Sequence, residues 1–192
     1  MIDYKSVLLK YYNKGSVLYE ILYRHSEAVA RAAVLIARQN RYLNADEDFL
    51  YEAAMLHDIG IVMTDAPEIH CFGAYPYIAH GYLGREIIER EGYLKHALVA
   101  ERHTGTGLTQ DDVRDQNLPI PLRDYMPLSI EEKIICYADK FYSKSAENLA
   151  QPKLISKIEK SISKYGSHKL AEFRQMADTF GYDYLYHELK KN

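Results

Sequence analysis

The sequence predicts an all-α protein, and three observations support this prediction. Only six prolines occur in 192 residues, and they leave long stretches in which a helix can continue. Apolar residues in these stretches recur every three to four positions, which is the period of an amphipathic helix. The strand-like alternation of apolar and polar residues is almost missing. We therefore expect one domain of about seven to nine helices over residues 1–192.

The clearest helix ends near Gln39 and begins at either Ser16 or Arg24. Its apolar stripe indicates that one face is buried against the rest of the domain. A second helix is expected over residues 46–57, where Asp46 is a residue type that caps helix N-termini.

A loop that contains proline and glycine follows at residues 63–77, and further helices are expected after it. One of them begins at Ser129, because Glu132 stands three residues later in the pattern of a capping box. These later helices are expected over residues 80–91, 93–103, 129–144, 153–164 and 167–186.

Composition and charge narrow the range of possible functions and locations. The net charge of −3 argues against a general nucleic-acid binder, which usually has a basic surface. No apolar stretch is long enough for a membrane span, and the N-terminus does not have the pattern of a signal peptide. We expect a cytoplasmic protein in which Cys71 and Cys136 are reduced.

Four residues with metal-ligand chemistry stand in apolar surroundings. His25 and His57 lie on the apolar stripes of their predicted helices, and Asp58 follows His57 directly. Asp139 lies in the apolar segment IICYADKFY. An unpaired polar group in a core costs about 1–3 kcal/mol, and a single histidine would most simply be a core residue with a hydrogen-bond partner. One divalent cation that binds all four groups would offset the free-energy cost of burying them.

The order of these residues resembles the HD superfamily of metal-dependent phosphohydrolases, in which H…HD…D is spread over separate helices. Residues 57–60 read His-Asp-Ile-Gly, the HDIG variant of the motif. The resemblance covers about residues 20–145. It implies an HD-type helical bundle on which C-terminal helices over residues 150–190 pack.

Two further histidines extend the motif. His80 follows His57 by 23 residues and His103 follows His80 by 23, with Asp139 after them. The order H…HD…H…H…D resembles the dinuclear branch of the superfamily. This branch includes bacterial HD-type diadenosine tetraphosphate hydrolases, and the chain also resembles a group of uncharacterised HDIG proteins.

The resemblance implies two divalent transition-metal ions, of iron, manganese, nickel, cobalt or zinc. It implies that Asp58 is the catalytic residue, bridges the two ions and positions a metal-bridged hydroxide that attacks phosphorus. The substrate would be a nucleotide or another small phosphate ester or anhydride. The implied ligands are His25, His57, Asp58 and Asp139 for one ion, and His80, His103 and Asp58 for the other.

Cationic and hydroxyl groups are expected to assist the phosphate. Arg102 and Thr104 flank His103, and Arg123 lies on a proline-bearing loop. Lys140 follows Asp139 directly, but its helical stripe also contains Lys133 and Lys144, a pattern typical of a solvent-facing surface. These substrate-binding candidates are Arg102, Thr104, Arg123 and Lys140.

The sequence leaves alternatives open. A mononuclear enzyme of the 5′-nucleotidase type would need only the first four ligands. A metal-stabilised binding or signalling module would need no catalysis. His96 is an alternative candidate for the metal ligand at His103, since it lies seven residues earlier on the same helical stripe. The oligomeric state is not predicted.

Overall fold

The structure is a computed structural model, and it describes residues 2–145 and 149–191. Helices dominate these ranges, which confirms the predicted fold class. The helices are α1 (Tyr4–Tyr11), α2 (Val17–Gln39), α3 (Glu47–Leu56), α4 (His80–Arg90), α5 (Leu94–Arg102), α6 (Gln110–Asp115), α7 (Ile130–Asp139), α8 (Ile155–Ile162), α9 (Ser167–Phe180) and α10 (Asp183–Leu189). Three short strands accompany them, namely β1 (Thr64–Ala66), β2 (Cys71–Phe72) and β3 (Tyr75–Pro76).

The described part of the chain has ten α-helices, so the predicted range of seven to nine was too low. Helices α1 and α6 are not among the predicted helices, and the six residues of α6 give too few turns for a clear apolar period. The helix predicted over residues 167–186 is interrupted at Gly181, whose φ of 80° is a conformation that glycine adopts readily. Helix α7 also ends earlier than predicted, at Asp139.

Helix α2 is the longest element and lies in the core. Its N-cap is Ser16, the earlier of the two predicted starts, whose side chain accepts a hydrogen bond from the Tyr19 backbone N–H. Its apolar face packs on α3 and α7, while α4 packs on α5. His25 lies on this buried face of α2.

Helix α3 brings the central motif to the interior. Asp46 caps it by accepting a hydrogen bond from Phe49 N at 3.0 Å, as predicted. The helix ends at Leu56, and a 3₁₀ turn over Ile59–Met63 follows. Tyr12, directly after α1, braces this turn because its hydroxyl donates to the Ile59 carbonyl at 2.7 Å.

The predicted loop over residues 63–77 contains the small sheet. The strand β1 pairs with β2 in antiparallel and with β3 in parallel orientation. Strands of two or three residues are too short to produce a recognisable alternation of apolar and polar residues. The sheet leads directly into the 3₁₀ turn Tyr77–Ala79 and then into α4.

No described helix has both the length and the hydropathy that a membrane span requires.

Both cysteines are free and buried, in agreement with the expectation of reduced thiols. Burial raises the pKa of the Cys136 thiol to about 11, so this group is protonated at neutral pH. We expect iodoacetamide at pH 8 to leave the native protein unlabelled and to label two thiols after unfolding in urea. Mass spectrometry checks this, and rapid labelling of either native cysteine would contradict the buried positions.

Candidate metal centre

Six side chains from five helices meet in the interior of the protein. The histidines and Asp58 are at most 4% exposed, and Asp139 is more open, with 12% of its side chain exposed. Each of the six stands within a helix or at a helix end, on elements that the core packs together. They are His25 on α2, His57 and Asp58 after α3, His80 at the start of α4, His103 after α5 and Asp139 at the end of α7.

Backbone carbonyls orient three of the histidines in the same way. The Nδ1 atoms of His57, His80 and His103 lie 2.6, 2.6 and 2.8 Å from the carbonyl oxygen three residues earlier. A carbonyl only accepts hydrogen bonds, so each Nδ1 carries a hydrogen, and whenever the ring is neutral its Nε2 presents the lone pair. This arrangement is typical of histidines that bind metal ions.

The two carboxylate oxygens of Asp58 face two different groups of ligands. Asp58 Oδ2 lies 3.2 Å from His25 Nε2 and 3.1 Å from His57 Nε2. Asp58 Oδ1 lies 3.6 Å from His80 Nε2 and 3.4 Å from His103 Nε2. Asp58 therefore stands between the two groups and can serve both.

Asp139 completes the first group. Its Oδ1 lies 3.0 Å from His25 Nε2 and 3.5 Å from His57 Nε2. In each group, one ligand atom per residue lies within 4.8 Å of every other. The first group is His25, His57, Asp58 and Asp139, and the second is Asp58, His80 and His103.

The contacts within the cluster fit bound cations. His80 Nε2 and His103 Nε2 are 3.0 Å apart, and with both Nδ1 atoms protonated this places two lone pairs against each other. In the described part of the chain, His57 Nε2 and both Asp58 oxygens are buried without a hydrogen bond of good geometry. Imidazole and carboxylate groups in this arrangement suit divalent transition metals. These buried residues could hold metal ions.

The electrostatics of the cluster keep Asp58 ionised. Burial alone would raise the pKa of Asp58, but the charges of His57 and Lys144 outweigh it and hold the pKa well below the usual range. Burial lowers the pKa of His57, yet Asp58 and Asp139 reverse this and raise it to about 9. Burial together with His103 lowers the pKa of His80 to about 3, which leaves its ring neutral.

The two predicted arginines have carboxylate partners outside the cluster. Arg102 pairs with Glu132 at 3.1 Å, and Arg123 pairs with Glu101 at 2.5 Å. Thr104 lines a cavity of about 230 Å³ together with Lys140.

Lys140 is one of two lysines at the cluster, which corrects the interpretation of a solvent-facing stripe. Lys140 Nζ lies 2.7 Å from Asp139 Oδ2, and Lys144 Nζ lies 2.6 Å from Asp58 Oδ2. Their side chains are only 12% and 14% exposed. The prediction of a solvent-facing stripe is wrong because α7 ends at Asp139, so Lys144 is not on its helical surface.

His96, the rival to His103, lies outside both groups. Its Nε2 is 3.4 Å from Glu52 Oε2 in a separate buried pair. The structure thus places His103, and not His96, beside Asp58.

The chain belongs to the HD-domain family, whose model matches residues 22–143. It is 33% identical over 148 residues to an uncharacterised protein of Methanocaldococcus jannaschii, a match that covers 76% of this chain and 79% of that protein. No solved structure matches the chain.

Two other relatives are named tRNA (cytidine(56)-2′-O)-methyltransferase. The protein from Picrophilus torridus is 32% identical over 125 residues, and the one from Thermoplasma volcanium is 30% identical over the same length. Each match covers 65% of this chain but 32% of the relative. The chain thus spans about a third of these methyltransferases, and their names describe much longer proteins.

Proposed function

We propose that this HD-domain protein is a metal-dependent phosphohydrolase that acts on a small phosphorylated substrate of the nucleotide class. The observation that carries the proposal is the position of Asp58, whose two oxygens face separate sets of histidines. A mononuclear enzyme needs only the first group. The close pair of His80 and His103 favours a second ion.

The side chains present would hold two divalent transition-metal ions, which when bound activate water and neutralise charge on phosphate oxygens. Asp58, kept as a carboxylate, positions the reacting groups between the two sets of ligands. The carbonyl partners of His57, His80 and His103 fix the orientation of these rings. The net charge of −3 favours a small substrate over a nucleic acid.

Phosphate release from a panel of substrates tests the proposal. Nucleoside mono-, di- and triphosphates, dinucleoside polyphosphates and cyclic nucleotides are incubated with the protein in manganese, cobalt, nickel, iron or zinc. We expect hydrolysis of at least one nucleotide that stops with a chelator and returns with added metal. The absence of hydrolysis across the panel with metal-loaded protein would contradict the proposal.

Metal content tests the number of ions. We expect the wild-type chain to bind about two ions and His80→Ala to bind about one, because only the second group loses a ligand. His168→Ala is the matched control, since His168 is exposed and pairs with Asp112 away from the cluster. Elemental analysis after dialysis checks this. Equal metal content in wild type and His80→Ala would argue for the mononuclear alternative.

A further inference from the structure

Three lysines surround a cavity that adjoins the metal centre. The cavity has a volume of about 160 Å³, and its wall contains Asp139 together with Lys140, Lys144 and Lys153. Among the six clustered side chains Asp139 is the most exposed. A substrate that reaches the cluster on the side of Asp139 therefore passes these ammonium groups.

Two of the lysines contact the cluster directly, as their distances to Asp139 and Asp58 show. Lys140 also donates to the His103 carbonyl at 3.2 Å. Lys144 lies over the ring of Tyr77, 5.9 Å from its centre. These contacts hold both ammonium groups at the edge of the metal centre.

Lys153 is the lysine without an acidic partner. It donates to the carbonyl of Tyr142 at 2.6 Å and to that of Lys140 at 3.4 Å. Its ammonium group makes no salt bridge to a described residue, although the charge of Asp139 acts on it from the same cavity wall. Lys140 and Lys144 already pair with Asp139 and Asp58, so Lys153 is the ammonium group of this wall that is left to bind an added anion.

A second cavity of about 230 Å³ lies next to the first, and Lys140, Ser161 and Ile162 belong to both walls. Its other walls are mainly apolar and include Leu118 and Tyr165. Apolar and aromatic walls with a few polar groups suit a planar organic ring such as a nucleobase. The two neighbouring cavities thus offer a charged compartment with Asp139 in its wall and an apolar compartment.

We propose that Lys140, Lys144 and Lys153 bind a second phosphate group of the substrate and that the apolar cavity takes its base. The substrate class is then a nucleotide with at least two linked phosphates, and not a simple phosphomonoester. The proposal rests on the proposed phosphohydrolase function and specifies its substrate.

Binding of non-hydrolysable compounds tests the lysines without relying on activity. The protein with its metal is titrated by calorimetry with methylenediphosphonate and with methylphosphonate. Lys153→Gln removes one charge-assisted hydrogen bond, so we expect about tenfold weaker binding of the diphosphonate and little change for the monophosphonate. Lys160→Gln, the same change at an exposed position on α8, is the control and should bind like the wild type. Lys153→Arg should restore most of the affinity.

The apolar cavity is tested with a methylene-bridged nucleoside diphosphate. Tyr165→Ala should weaken its binding about fivefold or more and leave methylenediphosphonate unaffected. Tyr184→Ala, an exposed tyrosine on α10 outside the cavity, is the control. An equal loss of affinity for both ligands in Tyr165→Ala, or no loss, would overturn the assignment of the apolar cavity to the base.

Two results would overturn the role of the lysines, namely equal wild-type affinity for the two phosphonates and unchanged diphosphonate binding in Lys153→Gln. Either can occur while metal binding and phosphate release persist, so this failure is distinct from failure of the phosphohydrolase proposal. Circular dichroism and thermal melting of each variant confirm that it folds.

Discussion

Replacing Asp58 with alanine is expected to lower kcat/KM for metal-dependent phosphate release on the order of a thousandfold or more. The effect is large because both Asp58 oxygens face histidine Nε2 atoms, so one substitution removes a ligand from each group. Metal content should fall together with activity. Steady-state kinetics and elemental analysis on the same preparations measure the two effects.

The Asp58→Ala protein must also be shown to fold. Asp58 is fully buried beside Lys144 and His57, and loss of one member of a buried charge pair costs about 3–5 kcal/mol. Asp58→Asn keeps the shape of the side chain, so it separates the loss of charge from the loss of packing. Asp65→Ala, at an exposed aspartate on β1, should retain full activity. A folded Asp58→Ala protein with near wild-type activity would contradict the proposed role.

Gly60→Ala is expected to lower the free energy of unfolding by about 3 kcal/mol or more. A Cβ atom at Gly60 would lie 2.1 Å from the His80 carbonyl oxygen and 2.4 Å from the Gly84 backbone nitrogen. Both are backbone atoms of α4, so no side-chain rotation relieves the clash. The resulting drop in Tm is about 10 °C for a chain of this size.

The same substitution should weaken metal binding, because α4 carries His80 and would have to move away from the turn after Asp58. Gly15→Ala is the control, since nothing lies within 4 Å of its Cβ and only its φ of 86° opposes the change. We expect Gly15→Ala to lower the free energy of unfolding by about 1 kcal/mol. Thermal unfolding with and without metal measures both effects, and similar stability losses at Gly60 and Gly15 would contradict the steric explanation.

Helical periodicity predicts the burial of His25 and His57, and the resemblance to the HD superfamily adds the other clustered residues. His25 and His57 stand on apolar stripes, and the structure buries both. The resemblance to the dinuclear branch points to His80 and His103, and the structure brings both to Asp58. The carbonyl three residues before each of His57, His80 and His103 is a contact that helical geometry provides locally.

The surroundings of the cluster depend on tertiary contacts, which cannot be predicted from helical periodicity. The partners of Arg102 and Arg123 are Glu132 and Glu101, and no local pattern links these pairs. The stripe pattern predicts that Lys144 lies on the solvent-facing side of α7, but α7 ends five residues before it. Lys153 lies before α8, and only the folded chain brings it next to the carbonyls of Lys140 and Tyr142.

The central claim is that Asp58 joins two metal sites, and anomalous diffraction from crystals of the metal-loaded protein tests it most directly. We predict two anomalous peaks per chain. One should lie among His25, His57, Asp58 and Asp139, and the other between Asp58, His80 and His103. A single peak at saturating metal, or a second peak away from His80 and His103, would contradict the account.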